Sequence, residues 1–154
     1  MEQVAPSSCR DIKKINPEST TGLYTIYGRN KHPYQVFCEM STADGGWTLV
    51  ASIHENDMAG KCTSGDKWSS EHGYDASRRN GDGNWNNEAI FGDVNLSTSD
   101  DYKNSGYFEI QADDVMILQV PNGTPVSEFL SSAYFQYYTS DAFLKLYGGN
   151  IKLL

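Results

Sequence analysis

The residues that could do chemistry are concentrated in the middle of the chain. Between His54 and Asp114 there are 13 acidic and 5 basic side chains. The 154-residue chain has a formal charge of −8, so this block carries all of it and the remainder is neutral. The block is also rich in Gly, Asn and Ser, as in His54-Glu55-Asn56-Asp57, Gly65-Asp66 and Gly81-Asp82-Gly83-Asn84-Trp85-Asn86-Asn87. An acidic run on a surface helix is usually only a solvated face. Here oxygen-bearing residues sit among residues that let the backbone turn, and a hard cation such as calcium requires that combination. A simple EF-hand is excluded, because counting from Asp75 its glycine position falls on Asn80.

Other chemistries fare worse. His54-Glu55 invites comparison with a zinc-protease HExxH motif, but the second histidine would fall at Met58, and His32 and His72 stand alone in the sequence. Cys62 as a nucleophile is less economical than Cys62 as an unpaired half-cystine. Asp100-Asp101 and Asp113-Asp114 are adjacent pairs, which in a strand point to opposite faces and share no substrate. The chain reads as a non-enzyme. A pI of about 4.7 argues against nucleic-acid binding. The most apolar run, Val115 to Leu118, is broken by Gln119 and followed by Pro121, too short to span a membrane.

Cys9, Cys38 and Cys62 make an odd count, so one lacks an intramolecular partner. Neither CxxC nor Cys/His zinc spacing is present. Two sequons, Asn95-Leu96-Ser97 and Asn122-Gly123-Thr124, favour a secreted protein glycosylated at Asn95 and Asn122. Met1 to Pro6 has no basic and apolar leader pattern, so a secreted chain would be a processed one.

The elements that must position these residues fall into sections. Ser7 or Ser8 caps a helix over Arg10 to Ile15 that Pro17 stops. Leu23–Tyr27, Tyr34–Met40 and Trp47–Ile53 read as strands of a small antiparallel sheet. A Cys9–Cys38 bridge would pin the helix to the second strand. From His54 to about Asn104 no period is sustained, yet Trp68, Trp85 and Phe91 argue against disorder, and a bound ion is the simplest way to hold such a stretch. Tyr107–Ile110 and Val115–Val120 read as strands. Thr124 then caps a helix with Pro125 first and Val126, Phe129, Leu130 and Ala133 on one face. Tyr134–Thr139 and Phe143–Tyr147 read as further strands.

Four spaced motifs, Ser8-Cys9-Arg10-Asp11-Ile12, Gly22-Leu23-Tyr24-Thr25-Ile26, Gln35-Val36-Phe37-Cys38-Glu39-Met40 and Gly45-Gly46-Trp47-Thr48-Leu49-Val50, resemble the opening of a fibrinogen-like domain. Beyond Val50, Ala51 to Met58, Gly60-Lys61-Cys62-Thr63, Gly65 to Ser70, Gly81 to Trp85 and Thr98 to Asn104 resemble the intelectins, the X-type lectins. The resemblance implies an α+β fibrinogen-like fold with a small antiparallel sheet, short helices and long calcium-organised loops. It divides the chain into a tail at 1–7, a fibrinogen-like subdomain at 8–53 and an intelectin-type loop-rich region at 54–154. It implies a secreted lectin of innate immunity that recognises terminal exocyclic 1,2-diols on microbial polysaccharides and on peptidoglycan or lipopolysaccharide sugars. Homo-oligomers belong to the same implication. Carried over by residue, the ligands of structural Ca2+ are His54, Glu55, Asp57, Gly60, Gly65, Asp66 and Asp101, with His54 and the glycines giving backbone carbonyls. The family's sugar-coordinating half would follow Leu154, so no sugar-binding residue is assigned, and the partner expected for Cys62 lies there too. The alternative function is a fibrinogen-like protein-interaction or oligomerisation module without its own sugar site.

Overall fold

The computed structural model of the chain describes residues 5–53 and 90–144. The first helix, α1 (Cys9–Ile15), starts where Ser8, in extended conformation, accepts the Asp11 N–H on its side chain. Asp11 in turn accepts the Ser7 N–H and hydroxyl, putting a carboxylate on the positive end of the helix. Asn16 leaves the helical region before Pro17. Spacing of three places Cys9 and Ile12 on the buried face.

Strand β1 (Gly22–Tyr27) pairs antiparallel with β2 (Pro33–Glu39), in register from Gly22 opposite Cys38 to Tyr27 opposite Pro33. β3 (Trp47–Thr48) adds to the other edge of β2. Period two puts Ile26, Val36 and Cys38 on the inner face, where they join Cys9, Ile12 and Met40 as a first core. A disulfide joins Cys9 to Cys38 with 5.5 Å between the α-carbons, so the expected bridge between helix and second strand is present. The second half of β2, from Val36 to Glu39, is buried on both faces. Phe37 points to a second core, against Phe129, Val94 and Tyr102, with ring centroids of Phe37 and Phe129 5.1 Å apart.

The turn after β2 is built by Glu39, which is 4% exposed. Its carboxylate accepts the Ser41 and Thr42 N–H groups at 2.8 and 3.0 Å and the Ser41 hydroxyl. Burial pushes that carboxyl up, but the bonds from Ser41 and Thr42 outweigh it and hold it below its ordinary value. Gly45, at φ +74, is obligatory, because a Cβ there would collide with the Met40 carbonyl.

Three sequence expectations need correction. Trp47–Ile53 is not one strand. It splits into β3 and β4 (Ala51–Ser52), which belong to different sheets, because the Asn104 side chain takes the Leu49 carbonyl between them. β4 pairs with β5 (Tyr102–Lys103). Tyr107–Ile110 is not a strand but falls largely in a short helix, α2 (Gly106–Glu109), whose first free N–H, on Gly106, is capped by Asn104 Oδ1 at 2.9 Å. Thr124 does not cap a helix, since its hydroxyl donates to the Pro121 carbonyl. A 3-10 turn over Val126–Glu128 intervenes, with Pro125 as its cap, before α3 (Phe129–Ser132).

β6 (Met116–Gln119) and β7 (Phe135–Tyr138) form a separate antiparallel pair. Of the strand expected at Phe143–Tyr147, the two described residues are helical and not extended, and their N–H groups bond to Asp114 and Asp113. The architecture is α+β, three small antiparallel sheets with short helices. Among the described residues no helix is long and apolar enough to cross a membrane.

Candidate functional site

The segment Ser97 to Ser105 buries most of its polar residues, Ser99 and Asp100 being exposed. Ser97, Asp101, Lys103, Asn104 and Ser105 are each 6% exposed or less. Such burial is tolerable only where the polar atoms are paired. Asn104 Nδ2 donates to the Leu49 carbonyl at 2.9 Å and to the Tyr102 hydroxyl at 2.6 Å, while its Oδ1 accepts from Gly106. Thr98 Oγ1 donates to the Thr124 carbonyl at 2.6 Å, and Ser52 Oγ donates to the Ser97 carbonyl.

Lys103 is fully buried, with Nζ 4.4 Å from the centroid of the Tyr107 ring. That geometry is a cation–π contact. Burial pushes its ammonium down to about 8, and it raises the Tyr102 and Tyr107 phenols. The sign for stability follows. Between about 8 and 10.5 the unfolded lysine holds a proton that the folded one has lost, so stability rises with pH there. Above the ordinary tyrosine value of 10.0 the unfolded phenols ionise while the buried ones resist, so stability falls. Urea unfolding across alkaline pH is therefore expected to show a maximum near pH 9 to 10, and Lys103→Met is expected to abolish the rising limb and keep the falling one.

Asp101 is the one expected metal ligand within the described residues, and it is 6% exposed. Its N–H bonds to Asp100 Oδ1 at 2.8 Å. Gly92, at φ +85, packs so closely on the Asp101 carbonyl that a Cβ would collide with it. His54, Glu55, Asp57, Gly60, Gly65 and Asp66 lie outside the described residues, as does Cys62. Among the described residues no group of three or more His, Cys, Asp or Glu forms a metal-binding cluster.

His32, isolated in sequence, is not isolated in the fold. Its Nδ1 lies 2.6 Å from the Arg29 carbonyl, which can only accept, so Nδ1 carries a proton, and its Nε2 lies 3.3 Å from the Ser105 hydroxyl. Its ring stacks on Tyr34 at 5.6 Å. Glu109 accepts the Arg29 N–H at 3.3 Å. Gly28 is glycine because a Cβ there would strike both the Glu109 carboxylate and the His32 ring. Burial, reinforced by the nearby charge of Glu109, pushes the Tyr34 phenol up to about 12. A serine beside an oriented histidine has the outline of an activated nucleophile. Ser105, however, is 3% exposed, so the pair ties the β1–β2 turn to the start of α2 with its hydroxyl out of a substrate's reach. No spacing signal reveals it, as 73 residues separate the partners.

The β6–β7 ribbon is the opposite case, apolar and exposed. Its register sets Ile117 opposite Tyr137 and Gln119 opposite Phe135 on one face. The other face turns Leu118 to the second core. On the outer face Ile117, Tyr137 and Phe135 are 53%, 52% and 51% exposed, and Val115 continues the stripe. Residues 111–144 contain Asp113, Asp114, Glu128 and Asp141 and no Lys, Arg or His. Asp113 pairs with Arg10 at 2.8 Å, whereas Asp114 accepts the Thr139 hydroxyl and the Phe143 N–H. The two adjacent carboxylates thus take different partners, although neither lies in a strand.

Over residues 5–110 the chain matches the family described as fibrinogen beta and gamma chains, C-terminal globular domain. It is 49% identical to angiopoietin-4 of Mus musculus over 43 residues, 27% of this chain and 8% of that protein. It is 46% identical to tenascin-N of Homo sapiens over 46 residues, 29% of this chain and 4% of that protein. To tenascin of Gallus gallus it is also 46% identical over 46 residues, 2% of that protein. The chain therefore spans less than a tenth of each of these relatives. With α1, the β1–β2–β3 sheet and the Cys9–Cys38 bridge all inside the matched residues, the chain belongs to the fibrinogen C-terminal globular domain family.

Proposed function

We propose that the chain is an extracellular protein-interaction module that works by surface contact and not by catalysis. The observation that carries this reading is the outer face of β6–β7. Exposed Ile117, Phe135 and Tyr137 form a contiguous apolar stripe, the kind of surface that marks interaction sites. The occupant is an extended protein segment with apolar side chains at alternate positions and Lys or Arg at its ends. Alternate spacing matches the two-residue period of the ribbon. The basic ends answer a segment that holds four carboxylates and no cation. A second copy of this chain brings the same acidic segment and is disfavoured on that face. The disulfide supports an oxidising, extracellular compartment, and the burial of Ser105 beside His32 supports a non-catalytic role.

The test uses a fluorescent peptide of alternating leucine and threonine with lysines at both ends, read by anisotropy at low and at moderate salt. Binding that weakens about tenfold in Ile117→Ser/Tyr137→Ser, a loss of about 1.4 kcal/mol, and weakens with salt supports the reading. Equal binding by the double variant, or by a peptide with glutamates in place of the lysines, sinks it.

A second reading, an intelectin-type calcium lectin of innate immunity, draws on the motifs beyond Val50 and on the buried carboxylate of Asp101. On that reading Ca2+, as a hard cation, cross-links the oxygens of His54, Glu55, Asp57, Gly60, Gly65 and Asp66 to Asp101. A ligand held only by the folded state raises the unfolding midpoint. Calcium is therefore expected to raise the midpoint above that in chelator, and Asp101→Asn to shrink the difference. Identical midpoints with calcium and chelator discard the ion. Retention on bacterial polysaccharide that calcium does not affect and glycerol does not displace discards the diol-binding lectin.

A further inference from the structure

The two sequons occupy different environments, and from that contrast we infer that Asn122 is the N-glycosylated residue of this chain and that Asn95 is not. Asn122 sits in the exposed turn after β6, and its carboxamide makes no hydrogen bond within the described residues. Gly123 adopts φ +77, and no atom lies within 4 Å of where its Cβ would stand, so the middle of the sequon faces open space. Two bonds tie the backbone of the turn to buried Thr98, Gly123 N–H to its carbonyl at 3.2 Å and its Oγ1 to the Thr124 carbonyl at 2.6 Å, and leave the Asn122 side chain outside them. The Thr124 hydroxyl engages only the exposed Pro121 carbonyl at 2.6 Å.

Asn95 is exposed as well, but its sequon is held to the fold. It lies inside the 3-10 turn Val94–Leu96, and Asp93 Oδ1 accepts its N–H at 2.9 Å and its carboxamide at 3.4 Å. The third residue of that sequon, Ser97, is 1% exposed and donates to the Val94 carbonyl at 2.9 Å. A glycosyltransferase must grip the hydroxyl of the third residue as well as the asparagine. At Ser97 that hydroxyl belongs to the core.

The step needs a polyprenyl-diphosphate-linked oligosaccharide as donor. The Asn122 carboxamide nitrogen bonds to the anomeric carbon, the bond from that carbon to the phosphate oxygen breaks, the lipid diphosphate departs with the electron pair, and the amide gives up one proton. The disulfide places the chain in a compartment where such donors are used.

The full chain, expressed in a secretory animal cell line and recovered from medium and lysate, is deglycosylated with peptide N-glycosidase in heavy-oxygen water. Each asparagine that carried a glycan becomes a heavy-labelled aspartate. The label is expected on Asn122 and is expected to disappear in Asn122→Gln and in Thr124→Ala. It is expected to survive in Thr124→Ser, which keeps the hydroxyl, and in Asn95→Gln. An unlabelled Asn122, or Asn95 labelled to an equal or greater extent, overturns the assignment.

Discussion

Replacing Cys9 and Cys38 together by alanine is expected to lower the unfolding free energy by about 3–4 kcal/mol at 25 °C. The bridge closes a loop with a sequence separation of 29. On the chain-entropy account a loop of that size restricts the unfolded state by roughly that amount. The local consequence is a looser α1, since the bridge and the Cys9 N–H bond to Thr48 Oγ1 at 3.0 Å tie the helix start to the sheet. Urea unfolding of the variant, and of the wild type in reductant, measures it. The two shifts are expected to agree, and a change below about 0.5 kcal/mol, the scale of a neutral surface substitution, shows that the bridge is incidental.

Asn104→Leu is expected to cost about 2–5 kcal/mol, although leucine matches the shape and the site is 5% exposed. The substitution strands two backbone groups at once: the Leu49 carbonyl and the Gly106 N–H both lose their partner. A stranded buried group costs about 1–3 kcal/mol. Asn104→Asp separates the two contributions, because it keeps an acceptor for Gly106 and loses the donor for Leu49. Chemical denaturation checks the order wild type, Asn104→Asp, Asn104→Leu. Equal stability of all three contradicts the view that this side chain joins β3, β4 and α2.

How far the sequence revealed the fold depends on the distance between partners. α1, β1 and β2 were legible because their determinants are local: the Ser8 cap, the period-three spacing of Cys9 and Ile12, the alternation of Tyr24 and Ile26. The bridge was legible because few cysteines leave few pairings. Trp47–Ile53 read as one strand because nothing within it announces a break. The break comes from Asn104, 55 residues from Leu49. Tyr107–Ile110 is too short for period two and period 3.6 to be told apart, and the Gly106 cap settles it as a helix. His32 and Ser105 could not be linked by spacing at all. Asp101 was singled out because the resemblance to the intelectins carries a calcium ligand onto it, and it proves to be buried. The exposed stripe of β6–β7 went unseen because the alternation does not say which face another element covers.

The most direct test of the recognition account is amide hydrogen exchange with and without the lysine-ended peptide. A peptide seated on the ribbon slows local opening of the strands beneath it. The account predicts slowed exchange at Met116–Gln119 and Phe135–Tyr138 in wild type and none in Ile117→Ser/Tyr137→Ser. Protection confined to other elements, or unchanged exchange in the ribbon under saturating peptide, contradicts it.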